Sequence, residues 1–343
     1  MATNPPADSV RDGLMRRVHW RTAASGQLNL PAVPAMLDEY VSMCANVFAN
    51  VGRRFSDDER AHLRSVLEGE LAQAFSGSSR SHVVVSYNAP IASALDYHVK
   101  PEWWSVEGAY ENWVATREPP LFGTEPDARV WALAHETAEP WAHPVLDIGG
   151  GTGRNALALA RRGHPVDVVE MTPRFAEQIR TEAADGGLNV RVIQRDVFTT
   201  VDDLRRDYAL IVLSEVVSDF RSTQQVRGIF ELATQCLDPG GQLVFNVHLA
   251  RNGYVPDDAA RQFGQLAYTS IFTRGELRAA ASGLPLQLVG DDSVHDYEQA
   301  HLPEGSWPPT GWYVNWVSGL DVFAVSRNES PIEMRWLVYR KPG

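Results

Sequence analysis

The segment Asp147-Ile-Gly-Gly-Gly-Thr-Gly153 leaves this chain few folds to choose from, because it sets three alternating glycines between a short apolar run and a helical one. Residues 145–148 read as a buried strand and 155–162 as a helix. Glycines at such a junction let the backbone turn sharply and approach a ligand with no Cβ in the way. The helix N-terminus that follows presents free N–H groups and a partial positive charge. A dinucleotide fold uses the spacing G-x-G-x-x-G to cradle a pyrophosphate. Here the spacing is D-x-G-x-G-x-G, and Ala156 stands where the third glycine of the other pattern falls when counted from Gly151. An acid at the strand end is unhelpful beside a pyrophosphate but suits a cationic, amine-bearing ligand.

The rest of the chain after residue 144 repeats the strand–turn–helix grammar. Residues 166–170, 190–194, 210–213 and 243–247 read as strands, the last entered from Pro239-Gly240-Gly241; 174–184 and 226–236 read as helices. Alternation at this length predicts an α/β fold, with a parallel sheet covered by helices on both faces. Residues 321–326 and 333–339 flank Asn328-Glu329-Ser330-Pro331 and are expected to form a closing antiparallel hairpin.

Upstream the pattern differs. Residues 33–51 carry apolar side chains at helical spacing, and Ser56-Asp57-Asp58-Glu59 is a capping box opening a second helix through Leu63, Leu67, Leu71 and Phe75. Residues 82–87 (HVVVSY) and 95–99 (LDYHV) read as paired strands, and 106–115 as a helix stopped by Pro119-Pro120. The expected organisation is a mostly helical cap with a small β-hairpin over 1–125. A main domain over 126–343 follows, with an insertion at about 296–331.

Composition narrows the partners. The 343 residues are 44% hydrophobic and 22% charged, enough to bury a sizeable core, and the formal net charge is −12. That surface repels phosphate backbones and anionic lipid, so neither nucleic acid nor membrane is expected as a partner. Cys44 and Cys236 are too few for a disulfide framework, no apolar run reaches spanning length, and residues 1–12 lack the apolar core of a signal peptide. A reducing, cytoplasmic setting is the default expectation.

Two more acids follow the glycine segment. Glu170 ends the next strand, where a carboxylate can accept both hydroxyls of a ribose. Asp196-Val197 follows the third strand, where a carboxylate can accept from an adenine amino group while the next N–H donates to the ring. Asp147 to Gly153, Glu170 and Asp196 in this order resemble the cofactor motifs of class I S-adenosylmethionine-dependent methyltransferases. The resemblance implies a seven-stranded, Rossmann-like methyltransferase sheet and S-adenosylmethionine as cofactor. It also implies cofactor contacts from Asp147, Gly149, Gly151, Gly153, Asn155, Glu170, Met171, Asp196, Val197 and Ser214. Gly151-Thr-Gly-Arg-Asn155 with Ala-Leu-Ala-Leu-Ala-Arg-Arg-Gly-His-Pro-Val166, and Phe272-Thr-Arg-Gly-Glu-Leu277 later, resemble the tellurite-resistance and thiopurine-like branch, which acts on small, soft nucleophiles. The expected substrate is a small molecule, in bacterial secondary metabolism.

Methyl transfer asks the protein mainly to hold a nucleophile in line, exclude water and sometimes take a proton. After the fourth strand stands Ser214-Glu215-Val216-Val217-Ser218-Asp219-Phe220, without the Asn/Asp-Pro-Pro-aromatic signature of base-amino methyltransferases. Glu215 there has two readings, a site acid that binds a cation or takes a proton, and a solvated loop acid. His248 past the fifth strand is either a general base or a hydrogen-bonded edge histidine. Tyr110 and Trp113 precede the cofactor loop and are expected to wall the reacting centre, where an aromatic face stabilises a cation. Arg117 is a partner for a carboxylate of cofactor or substrate. No His/Cys/Asp/Glu group has metal spacing, so no metal is expected. The run Tyr-x-x-Trp-x-x-x-Arg-x-Pro-Pro-Leu-Phe-Gly123 ahead of a Gly-Arg-Asn loop is also similar to azetidine-2-carboxylate synthases. That similarity implies closure of the S-adenosylmethionine amine onto its own γ-carbon, with release of methylthioadenosine. A third reading is a protein that binds S-adenosylmethionine without turnover.

Overall fold

The computed structural model, which describes residues 7–343, divides after Val106 into two units, Met1–Val106 and Glu107–Gly343. The first holds helices α1 (Ala7–Trp20), α2 (Leu37–Asn50) and α3 (Asp57–Gly77), and strands β1 (Ala24–Pro31), β2 (His82–Ala89) and β3 (Asp96–Glu102). The capping box is formed: Glu59 N donates to Ser56 Oγ at 3.3 Å, and Ser56 N donates to Glu59 Oε2 at 2.7 Å. These bonds satisfy two donors that a helix start leaves orphaned. Leu63, Leu67, Leu71 and Ala74, on one face of α3, meet Tyr40, Cys44 and Phe48 of α2 over Val83 and Val85 of β2.

The expected hairpin is in fact a three-stranded antiparallel sheet in the order β1-β2-β3. Strand β1 (ASGQLNLP) has no β-branched or aromatic residue, so its own sequence does not announce it. It forms by pairing along the second edge of β2, from Ala24 opposite Ala89 to Pro31 opposite His82. Helix α1 likewise has no counterpart in the expectation from sequence.

The second unit begins with α4 (Val106–Thr116) and α5 (Ala128–Ala134). It continues with β4 (Val145–Ile148), α6 (Arg154–Arg162), β5 (Val166–Val169), α7 (Pro173–Asp185), β6 (Val190–Ile193), β7 (Tyr208–Leu213), α8 (Thr223–Cys236) and β8 (Leu237–Ala250). It ends with α9 (Asp258–Leu266), β9 (Ile271–Phe272), α10 (Arg274–Ala281), β10 (Gln287–Ser293), α11 (Val294–His301), α12 (Tyr313–Val317) and β11 (Ile332–Arg340). The unit boundary therefore lies some twenty residues before the expected 125. Helix α4 belongs with the second unit because its aromatic side chains pack there, Tyr110 on Phe175 and Tyr268, Trp113 on Phe122, Tyr268 and Trp312.

The sheet runs β10-β11-β8-β7-β4-β5-β6, with the short β9 beside β8. Strands β6, β5, β4, β7 and β8 are mutually parallel, and β11 runs antiparallel to both β8 and β10. This is the α/β, Rossmann-like topology expected from the sequence. Its strands send alternate residues to two cores, as period two requires. In β11, Leu337 and Tyr339 enter one core while Met334, Trp336 and Val338 enter the other.

The expected closing hairpin is corrected: the strand beside β11 is β10, not 321–326. Strand β10 (QLVGDDS) is a poor strand by composition, and Arg335 helps hold it, with Nε donating to Asp291 Oδ1 at 2.7 Å. Residues between β10 and β11 form α11 and α12 instead of a direct turn. Strand order reverses at β4, with β5 on one side and β7 on the other, which opens a crevice at the carboxyl ends of these strands.

Candidate active site

The glycine loop leaves β4 into that crevice. Gly149, Gly151 and Gly153 all have left-handed backbones, with φ of +70°, +52° and +83°. A Cβ on Gly149 would sit 2.4 Å from Val216 Cγ2, and one on Gly153 would sit 2.7 Å from Leu157 Cδ1. The loop is therefore closed to side chains both by conformation and by space. Gly151 N donates to Glu170 Oε2 at 2.9 Å, and Thr172 N donates to Glu170 Oε1 at 2.7 Å. Each Glu170 oxygen keeps lone pairs beyond these bonds, so the side chain is fixed yet still able to accept from a ligand. Its burial pushes the carboxyl pKa up, against the Thr172 and Gly151 N–H groups that favour the anion.

Asp147 is fully buried at the end of β4, and its pKa is pushed up to about 7 by that burial, with Asp127 adding to the rise and Arg154 opposing it. A cation delivered into this crevice would relieve the burial. Asp196 is exposed and caps a short turn, accepting from Phe198 N at 3.0 Å, while its neighbour Val197 is buried. Met171 lies exposed beside Glu170. The Ser214 hydroxyl, at the end of β7, is buried with no partner among the described residues. A glycine cradle, two buried strand-end acids and a waiting hydroxyl fit a ligand with a ribose and a charged amino-acid tail, as S-adenosylmethionine has.

An aromatic group faces the same loop. Phe122 Cε2 lies 3.6 Å from where a Cβ on Gly151 would stand. Phe122 packs on Phe175 and Trp113, and Trp113 on Tyr268 and Trp312. Tyr110 closes the group, its ring on Phe175 and Tyr268 and its hydroxyl donating to Asp219 Oδ2 at 2.7 Å. Trp316 ties the insertion to this wall by donating its Nε1 proton to the Tyr268 carbonyl at 2.9 Å.

Behind the loop lies a buried charge cluster. Arg154, the first residue of α6, donates to Asp127 Oδ1 at 2.5 Å and to Glu215 Oε1 at 2.9 Å. Glu215 adopts φ +63°, uncommon for a side chain of its size, and its N–H is held by Asn246 Oδ1 at 2.7 Å. Burial pushes the Glu215 pKa up to about 7, with Arg154 pulling down and Asp127 pushing up. Glu298 of α11 is buried beside them, accepting from the N–H groups of Ala128 and Arg129 and from Trp336 Nε1, and so caps α5 from a distant helix.

Several expected site residues turn out to have other partners. Asn155, expected as a cofactor contact, locks onto Asp127: its amide donates to Asp127 Oδ2 at 2.8 Å while its carbonyl accepts from Asp127 N at 2.9 Å. His248 is corrected from general base to core histidine. Its Nε2 donates to the Trp316 carbonyl at 2.9 Å, and burial pushes its pKa down to about 4. It is wholly buried and neutral at ordinary pH. Arg117 stacks on Trp113 at 3.8 Å and lines a groove of about 870 Å³ that also reaches Thr152 and Gly153. Asp127, Arg154, Asn246 and Glu298 were not singled out from sequence. Arg154 carried a signal, since it sits inside the Gly-Arg-Asn run; the others become site residues only through folding.

Residues 145–241 match a family described as a methyltransferase domain, a span from the first residue of β4 through the glycine loop, Glu170, Asp196 and Ser214. The ubiquinone biosynthesis O-methyltransferase of Salmonella arizonae is 26% identical over 155 residues, which cover 45% of this chain and 59% of the relative. The Klebsiella pneumoniae protein of the same name matches at the same identity and coverage. The chain thus spans 59% of the length of these curated relatives. A crystal structure of the geranyl diphosphate C-methyltransferase from Streptomyces coelicolor A3(2) aligns with 68% of this chain and 98% of its own, at 14% identity and a TM-score of 0.49.

Proposed function

We propose that this chain is an S-adenosylmethionine-dependent methyltransferase acting on a small molecule. The observation that carries the reading is the glycine cradle with Glu170 bonded across it, at the point where the strand order reverses. Asp147, Glu170, Met171, Asp196, Val197 and Ser214 are the residues proposed to hold the cofactor, with Arg117 as the partner for a carboxylate. Bound there, S-adenosylmethionine supplies a methyl group on an electrophilic sulfonium.

The chain's own part is to orient and desolvate. Tyr110, Trp113, Phe122, Phe175 and Tyr268 present a continuous aromatic face beside the loop, which excludes water and stabilises positive charge. Asp219 accepts the Tyr110 hydroxyl proton and so fixes that ring. Glu215, raised to about 7 as Asp147 is, is able to hold a proton near neutrality, whereas His248 is not. The curated relatives are O-methyltransferases by name, which supports a hydroxyl as the first acceptor class to test. The acceptor is proposed to belong to bacterial secondary metabolism.

The aromatic face beside the loop also suits the second reading, in which the amine nitrogen of S-adenosylmethionine bonds to its own γ-carbon as the carbon–sulfur bond breaks. One incubation separates the readings. The protein is given S-adenosylmethionine with and without a panel of small hydroxylated acceptors, and products are followed by mass spectrometry. Acceptor-dependent S-adenosylhomocysteine is the expected product. Methylthioadenosine with a cyclic amino acid, formed from S-adenosylmethionine alone, would overturn methyl transfer in favour of cyclisation. Binding without any product would reduce the chain to a carrier.

A further inference from the structure

The buried charges behind the glycine loop do not balance. Arg154 pairs with both Asp127 and Glu215, while Glu298, buried near Asp127, is held by the Ala128 and Arg129 N–H groups and by Trp336 rather than by a cation. Arg129 nearby is committed to Asp292 at 3.0 Å. Two further buried side chains carry an unpartnered polar atom. Tyr313 is 1% exposed, and its hydroxyl has no partner among the described residues although Glu298, Asp127, Glu215 and Arg154 all act on it electrostatically. Asn246 is also 1% exposed; its oxygen holds the Glu215 backbone, and its Nδ2 has no partner among the described residues. Buried polar atoms are nearly always bonded in a working structure, so the unpartnered Tyr313 oxygen beside these carboxylates marks a place for a ligand.

The geometry fits one chemistry. Excess buried anion calls for a cation, the Tyr313 oxygen accepts, and a carboxylate accepts up to four bonds, of which Arg154 uses one at Glu215. The Glu215 side chain keeps 11% of its surface exposed, which supplies an approach that Asp127 at 1% lacks. The left-handed Glu215 backbone, clamped by Asn246 and Arg154, holds the carboxylate in place without a ligand. We infer that Glu215, with Asp127 and Tyr313, forms a subsite for a cationic nitrogen of a small ligand, an ammonium above all. The carrier of that nitrogen is either the acceptor substrate or the amino-acid end of the cofactor. The inference rests on the cofactor reading only for this last choice.

The test has two arms, both on the whole chain and on its Glu215→Gln and Tyr313→Phe variants. In the first, S-adenosylhomocysteine and methylthioadenosine, which lacks the amino-acid end, are titrated calorimetrically. A loss of about tenfold in S-adenosylhomocysteine affinity with methylthioadenosine unchanged assigns the nitrogen to the cofactor. In the second, methylammonium chloride is titrated against sodium chloride at equal ionic strength and followed by the melting temperature. Stabilisation specific to methylammonium, lost in Glu215→Gln and reduced in Tyr313→Phe, with the first arm unaffected, assigns it to the acceptor. The inference is overturned if neither arm separates the variants from the unmodified chain, or if Glu215→Gln weakens both nucleosides equally. Failure of the unmodified chain to bind either nucleoside would sink the cofactor reading instead, and the methylammonium arm would still decide the subsite.

Discussion

The two sides of the glycine loop are built on opposite principles. On the β5 side, the cradle works through backbone: left-handed glycines, the N–H groups of Gly151 and Thr172, and one carboxylate, Glu170, that gathers them. On the β7 side stands buried side-chain charge: Arg154 between Asp127 and Glu215, with Glu298 and Tyr313 beyond. Backbone donors cost little to bury because each is half of a bond the fold makes anyway. Buried charges cost several kcal/mol each unless paired. The first side is therefore expected to be rigid, and the second sensitive to any change in its charge balance.

The sharpest way to break that contrast is Arg154→Ala. It strands Asp127 and Glu215 without their guanidinium, and a loss of about 3–5 kcal/mol in unfolding free energy is expected from denaturant titration. A loss under about 1 kcal/mol would mean the cluster is not held by charge. Next in size, Glu170→Ala removes the acceptor shared by Gly151 and Thr172, and should weaken S-adenosylhomocysteine binding by about 2 kcal/mol, read by calorimetry. Unchanged affinity would remove the cradle from the ligand site altogether.

A dependence on pH is expected as well. Asp147 and Glu215 are both held near 7 in the fold, well above the usual carboxylate range of about 4. The folded state thus takes up protons more readily than the unfolded chain. Their contribution to stability is complete below about pH 4 and is lost as pH rises through 7. The melting temperature of the ligand-free protein should fall across that interval, and Asp147→Asn with Glu215→Gln should flatten the fall. An identical slope in the double variant would show that other groups dominate. Smallest of all, Ser56→Ala removes the α3 cap in the first unit, costing about 1 kcal/mol and leaving nucleoside affinity as it was. A change in affinity there would tie the first unit to the site.

Legibility divides along the same line. The glycine spacing, Glu170 and Asp196 are local facts of sequence, since each needs only its own strand end to have meaning, and the structure sets Glu170 against the loop as the pattern implies. The parallel strands were legible for the same reason, being apolar runs buried on both faces. Strands β1 and β10 were not, because neither has strand composition. β1 exists by pairing with β2, and β10 by pairing with β11 and by the Arg335–Asp291 bond. His248 shows the limit from the other direction: its position suggested a base, but only burial under Trp316 shows that it carries no charge.

Asp147 to Gly153, with the alternating strands and helices that follow it, was enough to expect an open α/β sheet with the glycine loop at the carboxyl end of its central strand, because the spacing of alternating glycines is a backbone property that nearby residues suffice to express. Which charges share the space behind it was decided only by tertiary structure. Residues 127, 154, 215, 298 and 313 come from five separate segments, and the energy of a buried charge depends on neighbours that the chain supplies only once it has folded.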